Sequence, residues 1–278
     1  MTKSERKRGN KKSKDQQRFT SDTSKSRKFK EPSKSSSFLD KMRARLSGGH
    51  FRMINEKLYT CTGKEALNYF QEEPSLFDLY HAGYKMQMSN WPEQPVNVII
   101  GWLKKKSPSL VIADFGCGDA LIAKSVENKV YSLDLVSNDP NIIACDMSNT
   151  SLVSSSVDVA VFCLSLMGTN YQSYIEEANR VLKSGGWLLI AEVKSRFDPN
   201  TGGADPEKFS NAISELGFKF VKKDFSNKMF ILFYFTKKFP YVCRISKILK
   251  GKKLNGLRLN LVCISVVDTK RAFFLVDH

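Results

Sequence analysis

Residues 110–120 run Leu110-Val-Ile-Ala-Asp114-Phe-Gly116-Cys-Gly118-Asp119-Ala120, an apolar stretch closed by two glycines among acids. It reads as a buried strand feeding a glycine turn and then a helix. In an open α/β sheet that junction is where a nucleotide-like ligand sits. Glycine suits it because the backbone must turn sharply and offer its N–H groups without a Cβ in the way. An ordinary strand-to-helix turn would use the same two glycines, so the residues downstream decide between the two.

Two further apolar runs also end in acids. Val130-Tyr-Ser-Leu-Asp134 is a second strand, and Asp134 lies 18 residues after Gly116. That is close to the ~20 expected for a carboxylate that accepts hydrogen bonds from both ribose hydroxyls. Ile142-Ile-Ala-Cys-Asp146-Met147 is a third strand with its acid at the same end. Parallel strands end at one crevice, so Asp114, Asp134 and Asp146 are expected to converge there. Two alternatives stay open: Asp146 as a turn or cap acid, and Asp119 as a mere complement to a helix dipole.

The ligand is not a dinucleotide by pattern. Leu121 stands where the third glycine of that fingerprint belongs. No Gly-Lys-Ser/Thr phosphate loop is present either. An adenosine carrying a sulfonium amino acid asks for less: a first turn, a ribose acid and an adenine reader. The spacing therefore favours S-adenosylmethionine over NAD. Asp146 would accept from the adenine amino group, and the Met147 N–H would meet a ring nitrogen.

The rest of the chain extends an α/β pattern. Val157 to Leu166 is apolar apart from Asp158 and Ser165, as expected of a strand buried on both faces. Tyr171 to Lys183 has helical spacing, with Gly185-Gly186 as its stop signal. Trp187 to Val193 is a strand. Asp205-Pro206 opens a helix that ends at Gly217. Phe218–Lys223 and Met229–Thr236 form an antiparallel pair across a short turn. Upstream, helices are expected over Lys64–Gln71, Pro74–Ser89 and Pro95–Lys106, as a cap over the crevice. His81 sits in that cap, and residue patterning alone leaves it a structural histidine.

Charge is placed at the ends. The chain of 278 residues has a formal charge of +16. Residues 1–37 carry 13 Lys/Arg against 4 acids, and residues 237–278 carry 10 against 2. The segment between them is nearly neutral. The expected organisation is a disordered basic arm (1–37), a helical cap (38–107), a ligand-binding core (108–238) and a basic and apolar tail (239–278). The arm suits nuclear import or nucleic-acid phosphates, and a merely solvated tail is the plain alternative. Six cysteines without a C-x-x-C pair and three histidines argue against zinc. No signal peptide or membrane span is expected, and free thiols fit the nucleus or cytosol.

Several segments together resemble the ribosomal RNA-processing protein 8 family of nucleolar SAM-dependent methyltransferases. They are Phe77-Asp-Leu-Tyr-His81-Ala-Gly-Tyr, Trp91-Pro-Glu-Gln-Pro95-Val, Ala113–Asp119, Cys145-Asp-Met147, Asp158–Asn170, Ala178–Leu182 and Ala191–Phe197. The resemblance covers roughly Phe38 to Lys238 and finds no counterpart for the tail. It implies a Rossmann-like SAM-dependent methyltransferase fold: α/β, mostly parallel, with a C-terminal antiparallel hairpin and a preceding helical cap. It also implies methylation of N1 of an adenine in large-subunit ribosomal RNA, in the nucleolus of the nucleus. By position it assigns His81, Gly116, Asp134, Asp146, Met147 and Cys163 to the cofactor. Some family members also act with chromatin-silencing proteins on rDNA. A SAM-binding silencing or assembly factor without essential catalysis is therefore the alternative function.

Residues after the fifth strand should rim the crevice. Glu192, Lys194, Arg196 and Phe197 are expected to hold the target nucleotide, with phosphate on Lys194 or Arg196 and a base stacked on Phe197. An ordinary loop is the competing reading. The position after the fourth strand reads Leu166-Met-Gly-Thr-Asn170, without the Asn/Asp-Pro-Pro-aromatic run found in many exocyclic-amine methyltransferases. That favours a ring nitrogen or another target over an exocyclic amine.

Overall fold

The computed structural model describes residues 34–239. The described residues fall into two units that meet between Arg45 and Leu46. The described part of the first is the opening of helix α1 (Lys34–Thr60). Most of the basic arm and nearly all of the tail lie outside the described residues.

Four helices precede the sheet: α1, α2 (Gly63–Glu72), α3 (Ser75–Met88) and α4 (Pro95–Leu103). Helix α2 starts where Thr62 and Glu65 cap each other's backbone reciprocally, a box that satisfies two otherwise orphan N–H groups. Proline opens α4 at the position where its missing N–H costs nothing. Helix α1 is longer than residue patterning suggests. Its Gly48-Gly49 pair and sparse apolar residues hide it from periodicity.

The sheet has seven strands in the order β3-β2-β1-β4-β5-β7-β6. They are β1 (Ile112–Phe115), β2 (Val130–Asp134), β3 (Ile142–Ala144), β4 (Val157–Cys163), β5 (Leu182–Val193), β6 (Phe218–Asp224) and β7 (Phe230–Lys237). The first five are parallel, and β7 runs antiparallel to both β5 and β6. Between them lie α5 (Leu121–Ser125), α6 (Tyr171–Val181) and α7 (Pro206–Glu215). Asp205 caps α7 with its side chain on the Glu207 N–H, as the Asp-Pro pair requires.

One expected boundary is corrected. Gly185-Gly186 does not stop α6, which ends at Val181 as Leu182 turns extended. The glycines lie inside β5, where the pairing with β4 jumps from Val157↔Leu182 to Val159↔Trp187. Extra residues on one strand need a bulge, and Gly185 takes it with φ +80.

Alternate residues of each central strand enter opposite cores. Phe115, Phe162, Ile190 and Phe233 pack with α6 and α7 on one face. Ile112, Val161, Leu189 and Tyr234 pack with α4 on the other. A third cluster joins Ile54 and Leu58 of α1 to Phe70 and Tyr80. Full burial of each large apolar side chain contributes about 1.5–3 kcal/mol. Two-sided burial is why these strands read as continuous apolar runs. The strand ends are thereby held rigidly, and the loops that leave them carry the site.

Candidate functional site

A cavity of about 240 Å³ opens at the C-terminal ends of β1, β2 and β4, with α3 as its other wall. Its floor is the turn after β1. Gly116 and Gly118 take φ of +75 and +54 there. A Cβ on Gly116 would stand 2.4 Å from the Ser165 Cβ, so this turn closes only with glycine. Ser165 in turn donates to the Phe115 carbonyl at 2.5 Å and ties the loop after β4 to the end of β1.

Asp134 lies at the tip of β2. Its Oδ2 accepts from the Gly118 N–H at 2.7 Å and its Oδ1 from the Leu135 N–H at 2.8 Å. One donor on each oxygen locks the carboxylate in place and leaves further lone pairs toward the cavity. Burial pushes its carboxyl upward, while His81 and these two N–H groups pull it back toward the charged form. Burial likewise holds His81 below the usual imidazole value, although Asp134 and Asp119 oppose this. His81 reaches over the glycine turn from α3, and a Cβ on Gly118 would stand 3.5 Å from its Cε1.

Asp114 lines the same cavity and is buried. Its carboxyl is pushed up to about 7, first by burial and then by Asp134. Its side chain accepts no hydrogen bond from another described residue. Asp119 is ion-paired to Lys85 of α3 at 2.8 Å. Cys163, at the end of β4, forms a wall of the cavity, and burial raises its thiol far above the ordinary value. It contributes surface, and thiolate chemistry is closed to it.

Of the residues expected to hold a cofactor, His81, Gly116, Asp134, Met147 and Cys163 all line this cavity. Asp146 is the exception. Its Oδ1 closes a turn on the Ser148 N–H at 2.9 Å and packs close to Gly63 at the start of α2. The carboxylate expected to read adenine is not itself in the lining, although its neighbours Cys145 and Met147 are. Tyr80, Tyr84 and Lys85 line the cavity as well. Residue patterning overlooks them, though Phe77, His81, Tyr84 and Met88 recur at helical spacing on the face that carries His81.

The four residues after β5 divide. Phe197 is buried and packs against Phe209 and Phe233, so it cannot stack on a nucleotide. Lys194 donates to the carbonyls of Phe225 at 3.0 Å and Asn227 at 2.7 Å, fastening the β6–β7 turn. Glu192 is fully buried, with burial raising its carboxyl and Arg196 opposing that. Its Oε1 accepts from the Leu166 N–H at 3.3 Å, while Oε2 lies 3.2 Å from Arg196 without hydrogen-bonding geometry. The Arg196 guanidinium also stands 5.9 Å from the Tyr59 ring and 5.5 Å from that of Tyr171.

The fit to S-adenosylmethionine rests on these contacts. A pinned ribose acid, a glycine turn without Cβ atoms and an apolar wall of Leu135, Met147 and Cys163 suit an adenosine. The buried Asp114 carboxyl in the lining complements a cationic amino acid end. Helix α5 is five residues long and its N-cap, Ala120, is in a left-handed conformation, which gives no bed for a pyrophosphate. Among the described residues no cluster of three or more His, Cys, Asp or Glu is placed for a metal. No described helix is long and apolar enough to cross a membrane.

Comparison with known proteins agrees with this geometry. A family model described as a hypothetical methyltransferase matches residues 37–258. The match runs past Lys238, where resemblance by motif ends. Ribosomal RNA-processing protein 8 of Arabidopsis thaliana is 74% identical over 205 residues, covering 74% of this chain and 71% of the relative. The mouse protein of the same name is 48% identical over 219 residues, covering 79% of this chain. The chain spans 46% of the length of that mouse relative. The Schizosaccharomyces pombe 25S rRNA (adenine(645)-N(1))-methyltransferase is 46% identical, covering 73% of this chain and 67% of the relative.

Proposed function

This chain belongs to the ribosomal RNA-processing protein 8 family of methyltransferases, and from that membership we propose that it methylates N1 of an adenine in large-subunit ribosomal RNA. Its place of action is the nucleolus, and its partner the pre-ribosome. The observation that carries the reading is Asp134, whose two carboxylate oxygens are each fixed by one backbone N–H at the mouth of β2.

S-adenosylmethionine, when bound, supplies a methyl group on an already activated sulfonium. The chain's own task is placement, and a well-held pair of reactants can gain ~7–11 kcal/mol. Asp134 holds the ribose hydroxyls. Gly116 and Gly118 let the backbone approach closely, and Met147, Leu135 and Cys163 enclose the flat base. His81, whose imidazole burial holds below its usual value, closes the turn from above. Adenine N1 carries its own lone pair at neutral pH, so no general base is required of the protein. The base must arrive unpaired or flipped out, since N1 is engaged in pairing within a duplex. Arg196, flanked by Tyr59 and Tyr171 and tied through Nη1 to the Leu166 carbonyl, is the cation among these residues that would hold the incoming nucleotide with its remaining N–H groups. Lys194 and Phe197 are occupied by structural contacts and take no part.

The test uses the full chain, methyl-labelled S-adenosylmethionine and large-subunit rRNA lacking its own modification, with Asp134→Ala as control. Label entering one adenine, and lost in the control, supports the reaction. Cofactor binding without transfer to intact, bound RNA would instead favour a silencing or assembly factor that acts with chromatin proteins.

A further inference from the structure

The N-terminal ends of the strands, opposite the cavity, form a basic pole. Lys104, Lys105 and Lys106 follow α4 just before β1. The Lys129 carbonyl accepts from the Ile112 N–H at 2.9 Å, which places Lys129 beside the entry to β1. Lys183 stands at the start of β5, and Lys219, near the start of β6, pairs with Thr236 near the end of β7. Lys237 and Lys238 close β7 at the same pole. All but Lys237 are exposed. From β2 to β6 this row spans five strand spacings, roughly 24 Å at about 4.8 Å each.

Few acids neutralise it. Asp158 is taken by Lys183 at 2.8 Å, and Glu127 and Glu215 are the other carboxylates nearby in the chain. The side chains of Lys104, Lys105 and Lys219 make no ion pair or hydrogen bond with another described residue. Aromatic surface is interleaved: the Lys106 ammonium lies 4.7 Å from the Trp102 ring and 5.3 Å from that of Trp187. The cavity end carries Asp114, Asp134 and Asp119 in its lining, with Asp119 paired to Lys85. An RNA chain therefore meets carboxylates at the reacting centre and cations at the far end of the sheet.

We propose that this pole is a second RNA surface, which binds phosphates of the same RNA strand at a distance from the target base. The inference rests on the RNA substrate proposed above. Its ligand is a polyanion backbone, read by charge and by stacking on Trp102 and Trp187, without base specificity. Anchoring there lets an acidic crevice receive a nucleotide that it would otherwise repel.

The experiment compares the full chain with its Lys104→Glu/Lys105→Glu/Lys219→Glu variant, and with the corresponding triple alanine variant. Binding to a long rRNA fragment is measured across a salt series, and transfer is measured on that fragment and on a short oligonucleotide around the target. Each phosphate contact removed should flatten the slope of log K against log salt by about 0.7–0.9. The expected result is a slope shallower by about two and an affinity for the long fragment roughly tenfold or more weaker. Thermal midpoint, cofactor affinity and turnover on the oligonucleotide stay unchanged. An unaltered slope and affinity in both variants overturns the proposal, as does binding of the pole to an acidic protein in preference to RNA. Absence of transfer by the unaltered chain would count against the methylation reading alone, because the salt series reads the pole directly.

Discussion

Nη1 of Arg196 stands 3.2 Å from Oε2 of Glu192 but donates its hydrogen bond to the Leu166 carbonyl at 2.7 Å. Glu192 Oε1 meanwhile accepts from the Leu166 N–H. The pair thus holds both polar groups of one residue in the loop after β4, whose neighbours Ser165 and Met167 line the cavity. Arg196→Ala should leave a buried carboxylate unpaired and cost about 3–5 kcal/mol. Glu192→Gln keeps an acceptor for Leu166 and removes the charge, so it should cost less. Urea unfolding of both variants checks the order, and a cheaper Arg196→Ala would mean the ion pair is not what holds the loop.

Asp134 should separate cofactor binding from folding. Asp134→Asn retains one carbonyl oxygen but sets an NH2 group against a backbone N–H, and it loses the charge. Charge-assisted hydrogen bonds contribute about 1.5–3 kcal/mol each. Loss of one or two predicts cofactor affinity weaker by roughly 10–10,000-fold, with a cooperative unfolding transition retained. Calorimetric titration with S-adenosylhomocysteine reads this directly, and an affinity close to that of the unaltered chain would exclude Asp134 as the ribose acid.

The strands and the glycine turn are legible in the sequence because both obey local rules. Two-sided burial makes apolar runs, and Gly116 is required by a close approach that any Cβ would block. Asp134 is legible because its spacing from that turn is set by one βα unit. Phe197 and Lys194 are misplaced by sequence reading for the opposite reason. Being next to a strand end does not tell which way a side chain turns. Phe197 goes into the core beside Phe209, and Lys194 reaches the carbonyls of the distant β6–β7 turn. Tyr84 and Lys85 escape notice because their role depends on how α3 lies over the sheet, which helical spacing does not encode.

Asp114 should make stability fall with rising pH. Its folded carboxyl is at about 7, against an unfolded value near 3.8. Between those values the folded chain binds more protons than the unfolded one, so protonation favours the fold. The contribution is complete below about pH 4 and is lost as pH rises through about 7. Its full size is on the order of 4 kcal/mol. Asp114→Asn, which stays neutral, should remove this dependence. It should unfold at a higher temperature than the unaltered chain at about pH 8, with little difference at about pH 4. Parallel melting curves for both proteins at those two values test the sign as well as the size.

Gly116 and Gly202 separate backbone strain from lack of space. Both have positive φ, +75 and +74. A Cβ at Gly202 would meet nothing within 4 Å, whereas one at Gly116 would stand 2.4 Å from the Ser165 Cβ. Gly202→Ala therefore bears only the left-handed penalty of about 1–2 kcal/mol. Gly116→Ala bears that and a steric clash, which adds about 1–3 kcal/mol by analogy with overpacked cores. The clash also pushes Ser165 away from the Phe115 carbonyl and so deforms the floor on which the cofactor would rest. Cofactor affinity should fall with Gly116→Ala and be untouched by Gly202→Ala. Equal losses of stability in the two variants would show that the loop after β4 yields freely, and that the glycine at 116 is there for its φ alone.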